Sequence, residues 1–183
     1  TTLLTIPETA MVDGDFIAKE AGVAAGLTVV AQVFRQLSDQ VQVTPLAADG
    51  ERVAARQVIA TIHGPGRAIL TGERVALNFL QRMSGIATLT RRYVDAVQGT
   101  HAVILDTRKT APGLRVLDKW AVRLGGGQNH RFGLYDMAMI KDNHLAAVGS
   151  LAAAVQRVRQ GDPRQRPIEV EVTNLEQLRD ALQ

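Results

Sequence analysis

Two apolar runs in this chain end in the same unusual way. Ala102-Val103-Ile104-Leu105 stops at Asp106 and gives way to Thr107, Arg108, Lys109 and Thr110, closed off by Pro112 and Gly113. Met137-Ala138-Met139-Ile140 gives way to Lys141, Asp142, Asn143 and His144. The connection Gly125-Gly126-Gly127-Gln128-Asn129-His130-Arg131 leads into that second run, and a third run, Ile168-Glu169-Val170-Glu171-Val172, carries two acids. If the runs are neighbouring strands, Arg108, Lys109, Arg131 and Lys141 converge, with only Asp106 and Asp142 near enough to neutralise them. Gathered cations without counterions repel, so folding alone does not favour them; an anionic ligand relieves the repulsion. Arginine offers a planar fork to carboxylates and phosphates, lysine a compact point charge. The pattern points to a small, multiply anionic substrate.

Taken one at a time, the same residues have plainer readings. A single Arg or Lys after a strand is usually a surface residue, Gly125 to Gly127 suit a helix C-cap, and His130 suits a hydrogen-bonded structural role. His130, Asp136 and His144 match no strong metal-ligand spacing, and His63 and His101 carry no functional reading. Glu169 and Glu171 share one strand face. An acid there could hold sugar hydroxyls or a divalent metal, or it could pair with Lys141 or Arg108.

The elements that must position these groups follow from periodicity. Before residue 70 the chain alternates strand candidates (3–6, 15–23, 41–46, 56–64) with turns at Asp13-Gly14, Asp49-Gly50 and Gly64-Pro65-Gly66. One helix is expected from Leu27 to Leu37. From Thr71, a plausible N-cap, a long helix is expected, with Val75, Phe79, Met83, Ile86, Thr90, Val94 and Val97 as its apolar stripe and Gly85 as a kink or close contact. After Gly99 the rhythm becomes three β–α units. Strand 101–106 precedes a helix with Leu114, Leu117, Ala121 and Leu124 inward; strand 137–142 precedes one with Leu151, Val155 and Val158 inward; strand 168–172 precedes one with Leu175, Leu178 and Leu182 inward. Such units imply a parallel sheet, either doubly wound or part of a β/α barrel, and both bind ligands at the carboxyl ends of their strands.

Composition bounds the chemistry. The 183 residues are 46 % hydrophobic but only 4 % aromatic, so the core must be aliphatic. With no cysteine, thiolate nucleophiles, disulfides and cysteine-ligated metals are excluded. The net charge of +3 is spread along the chain, without the aromatic platforms of a nucleic-acid groove. No G-x-G-x-x-G or Walker A pattern follows a strand, and no apolar run approaches a membrane span; a cytoplasmic protein is the default expectation.

In combination, ERVALNFLQRMSGIATLTRR (73–92), LDTRKTAPGLR (105–115), GGGQNHRFGLYD (125–136) and IKDNH (140–144) closely resemble quinolinate phosphoribosyltransferase, the carboxylating nicotinate-nucleotide pyrophosphorylase family. The resemblance implies an N-terminal α/β sandwich domain, expected over 1–99 with the long helix, and the first three β–α units of an incomplete α/β barrel over 100–183. It implies transfer of phosphoribose from phosphoribosyl pyrophosphate to quinolinate, with loss of pyrophosphate and CO2, giving nicotinate mononucleotide for de novo NAD synthesis. Mg2+ and a homodimer are implied as well. Carried onto this chain, the family pattern makes Arg108, His130, Arg131 and Lys141 binders of the quinolinate carboxylates. Lys109 becomes a contact to the phosphoribosyl donor, and Arg74 a residue reaching into the partner subunit's site. Glu171 becomes the acid near the ribose hydroxyls and metal. Lys109, Lys141 and Glu171 are thereby the expected catalytic set. The family pattern continues past both ends of this chain, to further barrel strands, an acid partnering Glu171 and glycine-rich phosphate loops. The chain alone is therefore expected to keep part of its quinolinate recognition and to be inactive in turnover. The rival expectations are a related phosphoribosyltransferase acting on another acid and a non-catalytic binding module.

Overall fold

The computed structural model describes residues 1–182, which fall into two compact units divided after His130. Leu3 to Ile6 is not a strand: α1 (Thr2–Thr5) is a single helical turn that ends before Pro7, leaving Leu3 and Leu4 70 % and 91 % exposed. Four β-prone residues make a strand only against a ladder partner, and among the described residues nothing pairs with this segment.

The strand expected over 15–23 is two strands, because its pairing partner changes. β1 (Met11–Ile17) and the short β2 (Gly22–Val23) are separated by the turn at Lys19-Glu20-Ala21. After α2 (Leu27–Arg35) come β3 (Gln42–Pro45), β4 (Arg52–Val53) and β5 (Val58–Pro65). β5 is the centre of an antiparallel sheet ordered β1-β5-β3, whereas β2 pairs with β4. Ile59, Ala60 and Ile62 of β5 meet Val30 and Phe34 of α2 in an aliphatic core. α2 lacks a local N-cap side chain; the Asp49 carboxylate serves from a distance, accepting from the Gly26, Leu27 and Thr28 amides (2.6, 2.9 and 3.2 Å) and from the Thr28 hydroxyl (2.8 Å).

The long helix begins earlier than expected. α3 (Gly66–Ala96) follows Pro65 directly, and Thr71 lies inside it with its hydroxyl donating to the Arg67 carbonyl (2.7 Å). Its buried stripe keeps Met83 and Thr90 of the expected one but otherwise runs through Ile69, Gly72, Ala76, Leu80 and Ala87, while Val75 is 48 % exposed. Small residues carry little hydrophobic signal, yet they permit the closest contact. A Cβ at Gly72 would stand 2.8 Å from the Phe34 ring, which is why α2 can seat there. α3 is continuous through Gly85.

The segment 101–106 is not a full strand. It makes one parallel bridge, Leu105 to Gln128, through Gln128 N–H to the Ile104 carbonyl (2.9 Å) and Asp106 N–H to the Gln128 carbonyl (3.1 Å). A single facing segment of a few residues gives no ladder, so Val103 and Leu105 remain about half exposed (53 % and 49 %). α4 (Arg115–Leu124) packs on α3, where Ala121, Leu117 and Leu124 join Met83 and Ala87. It ends in a Schellman motif: Gly126 takes φ +91°, its N–H reaches the Arg123 carbonyl (2.9 Å), and Gly127 N–H reaches that of Val122 (3.0 Å). The glycine run is thus a helix C-cap.

In the second unit β6 (Ala138–Ile140) is followed by α5 (Asp142–Val148), which periodicity did not foresee, then α6 (Leu151–Gly161), β7 (Ile168–Val170) and α7 (Leu175–Ala181). β6 and β7 are parallel, Met139 facing Glu169 in register, as β–α units require. The stripe expected inward on α7 is exposed instead, with Leu175 at 69 % and Leu182 at 79 %. Periodicity identifies a face that is apolar, not one that is covered. Asp162 closes the turn after α6, accepting a fork from Arg166 (2.9 and 3.0 Å), which also donates to the Tyr135 carbonyl (2.8 Å). Arg166 holds the Asp162 carboxyl far below the usual carboxylate range.

Candidate functional site

In the first unit Arg108 and Lys109 stand on a loop fastened by three charged side chains of α4. Arg115, Asp118 and Lys119 lie at spacings of three and four, on one helix face. Arg115 donates to the Thr110 hydroxyl (3.2 Å) and to the Arg108 carbonyl (3.3 Å). Asp118 accepts from the Ala111 amide (3.2 Å) and a bidentate pair from Arg82 (2.7 Å each). The Arg82 guanidinium holds the Asp118 carboxyl below its ordinary value, and Asp118 in turn raises that of Arg82.

Lys119 is 1 % exposed and ion-paired with Asp106, 6 % exposed. Asp106 also accepts from the His130 backbone amide (2.9 Å), and Lys119 donates to the His130 carbonyl (3.0 Å). The Asn129 amide, oriented by its surroundings, donates to Asp106 and to the Lys119 carbonyl (2.9 Å each). Asp106 therefore does not neutralise the loop cations, and neither does Asp118. Arg108 is half-buried, and its Nε is buried without a hydrogen-bond partner among the described residues. A buried guanidinium N–H left unpaired is costly, and an incoming carboxylate oxygen would remove that cost. Lys109 is exposed, its amide turned by the Thr107 hydroxyl (3.1 Å).

In the second unit, which Arg131 begins, Lys141 follows β6 and Glu171 follows β7, and the two pair at 3.1 Å while 46 % and 58 % exposed. The ion-pair reading of Glu171 is therefore the arrangement observed. His144 is a capping residue of α5: its Nδ1 accepts from the Lys141 amide (3.0 Å), which fixes the proton on Nε2 when the ring is neutral. Asp136 accepts from the Gly133 amide (3.1 Å) within its own loop. No three His, Asp or Glu side chains among the described residues gather as a metal cage. Glu171 is one carboxylate, which suits an Mg2+ held mainly by phosphate oxygens and water rather than by protein.

Arg74 is exposed on α3 and lines a groove of ≈ 750 Å³ with Ile17, Lys19, Gly22, Leu77 and Arg92. Arg108, Lys109 and His130 do not line that groove. Arg108, Lys109 and His130 thus share one unit, Arg131, Lys141 and Glu171 the other, and Arg74 stands on its own surface. Reading the sequence for apolar stripes missed Arg115, Asp118 and Lys119. Their signal was three charges on one face of the helix that follows the cationic loop.

Two family models account for nearly all of the chain: the N-terminal domain of quinolinate phosphoribosyl transferase matches residues 1–84, and its C-terminal domain matches residues 86–183. The chain is 50 % identical over 167 residues to a probable nicotinate-nucleotide pyrophosphorylase [carboxylating] of Synechocystis sp., covering 91 % of the chain and 57 % of that relative. It is 49 % identical over 170 residues to the protein so described in Bacillus subtilis, covering 93 % of the chain and 59 % of that relative. Among solved structures, NadC from Streptococcus pyogenes superposes with a TM-score of 0.94 at 44 % identity, over 98 % of the chain and 64 % of that structure. The nicotinate-nucleotide pyrophosphorylase from Francisella tularensis superposes at 0.93 with 40 % identity, over 99 % of the chain and 64 % of that structure. The chain spans a little over half the length of these curated relatives, and the expected α/β architecture is the one it shares with them.

Proposed function

The chain belongs to the quinolinate phosphoribosyltransferase family, and from that premise we propose that the whole protein joins quinolinate to phosphoribosyl pyrophosphate, releasing pyrophosphate and CO2 and forming nicotinate mononucleotide for NAD synthesis. The observation that carries this reading is Arg108, whose buried Nε lacks a partner among the described residues while Asp106 is engaged by Lys119 and Asp118 by Arg82. A dicarboxylate is the ligand that two or more such cations hold best.

The pyridine nitrogen of the acid is the nucleophile and C1 of the ribose the electrophile, so no protein nucleophile is required. Arg108, His130, Arg131 and Lys141 hold the carboxylates and fix the line of attack, which is where most of the rate comes from in a reaction between two bound anions. Lys109 binds the phosphoribosyl donor. Glu171 lies near the ribose, where a carboxylate stabilises the positive charge that develops at C1 as the diphosphate leaves. Glu171 is the residue of this chain that would help hold an Mg2+, which would supply positive charge to offset that of the leaving diphosphate. In the pairing seen here, Lys141 and Glu171 hold each other before either meets a substrate.

The protein works as a homodimer in the cytoplasm, with Arg74 contributed to the partner's site. The groove beside Arg74 and the exposed Ile17 and Leu89 (51 % and 54 %) support an apolar contact there. Among the described residues no helix is long and apolar enough to cross a membrane. Comparing turnover of quinolinate with that of nicotinate tests the substrate: quinolinate should be strongly preferred with one CO2 released per nucleotide, and a preference for nicotinate would overturn the reading.

A further inference from the structure

Lys119 ranks with Phe34, Met83 and Val30 among the largest fully buried side chains. A lysine in that company needs an explanation, since a hydrophobe of similar length would fill the same space without the cost of desolvating a charge. Its contacts supply one. The ammonium group has three donors, and two of them reach Asp106 and the His130 carbonyl, on segments 24 residues apart. The Asp106 carboxylate returns along the same path, accepting the His130 amide and the Asn129 side chain. Asp106 lies two residues before Arg108, and His130 is itself a candidate ligand residue.

We propose that Lys119 is a positioning residue for acid binding: through Asp106 and the His130 carbonyl it clasps the backbone from which Arg108, Lys109 and His130 project. A methylene chain ending in an apolar group would tolerate sliding of one segment past the other. A buried, hydrogen-bonded ion pair does not, because any displacement leaves a charge unpaired in the interior. The inference rests on the proposed role of Arg108 and His130 toward quinolinate.

Three variants of the full chain test it. Lys119→Met breaks the clasp and strands the Asp106 charge. Asp106→Asn with Lys119→Met removes both charges and keeps the volume, so it preserves the fold if the single variant fails to form one. Val30→Ala weakens the first unit's core, in a different apolar cluster from the one that α4 joins, as a stability control. Amide hydrogen exchange at Asp106 and His130 reads the clasp directly, and calorimetric titration with quinolinate reads its consequence. The expected result is faster exchange at His130 and a loss of quinolinate affinity of about tenfold or more in both Lys119 variants, with Val30→Ala binding normally despite a lower Tm. Normal quinolinate affinity in the folded double variant overturns the positioning role. Equal weakening by Val30→Ala reduces Lys119 to a stability residue and overturns it as well. Absence of quinolinate binding in the unsubstituted whole protein overturns the functional reading itself, and is seen before any variant is made.

Discussion

Arg108 and Lys109 are adjacent, yet they face different environments, one half-buried with an Nε unpartnered among the described residues and the other exposed. The proposed division of labour follows: Arg108 to a carboxylate of quinolinate, Lys109 to the phosphoribosyl donor. Arg108→Lys keeps the charge and loses the fork, so quinolinate affinity should fall by about 1.5–3 kcal/mol, the worth of a charge-assisted hydrogen bond, with donor affinity unchanged. Lys109→Ala should show the reverse. Titration of each variant with each substrate checks both. At this scale the cations were legible in the sequence, because charge without nearby counter-charge shows in residue types alone. The disposition of the acids was not. Asp106 reads as a counterion of Arg108 until the fold reveals Lys119, thirteen positions away, as its partner.

The elements that hold these residues depend on close contacts that hydrophobic patterns underrate. A Cβ on Gly125 would meet the Ala87 carbonyl oxygen at 2.5 Å, so Gly125→Ala must push α4 away from α3 and should cost about 1–3 kcal/mol, read as a lower denaturation midpoint. Asp49→Ala removes the cap of α2 and should cost about 0.5–2 kcal/mol by the same measurement. The Asp162–Arg166 fork gives the second unit a pH signature. Because the folded carboxyl lies far below its unfolded value, the fork stabilises fully above the ordinary aspartate range, about pH 4, and that stability fades as pH falls from there through the depressed folded value. Asp162→Asn should therefore lower Tm at pH 7 and flatten its decline in acid. Helix and strand types were mostly legible here: α2, β3 and β5 lie where periodicity put them. The failures have physical causes. α1 had no ladder partner, the stripe of α3 turns on Gly72, Ala76 and Ala87, and the leucines of α7 are uncovered.

For the whole molecule, the change of rhythm near residue 100, the family models meeting between 84 and 86 and the compact units divided after His130 each mark a different boundary. The long α3 helix explains the spread: it belongs to the fold of the first half and also carries α4 of the second rhythm on its far end. If Arg74 completes the partner's site, subunits bearing Arg74→Ala and subunits bearing Lys109→Ala, each inactive alone, should regain about a quarter of normal activity when mixed and reassorted, since one site in each mixed dimer is whole. No recovery would confine Arg74 to its own subunit. The proposed binding of a dicarboxylate turns on Arg108, whose Nε has no hydrogen-bond partner among the described residues. That role is tested most directly by calorimetric titration of quinolinate and of nicotinate into the whole protein and its Arg108→Ala variant. Quinolinate should bind once per chain, at least about tenfold more tightly than nicotinate, with that preference lost in the variant. Equal affinity for the two acids, or quinolinate binding untouched by Arg108→Ala, would contradict it.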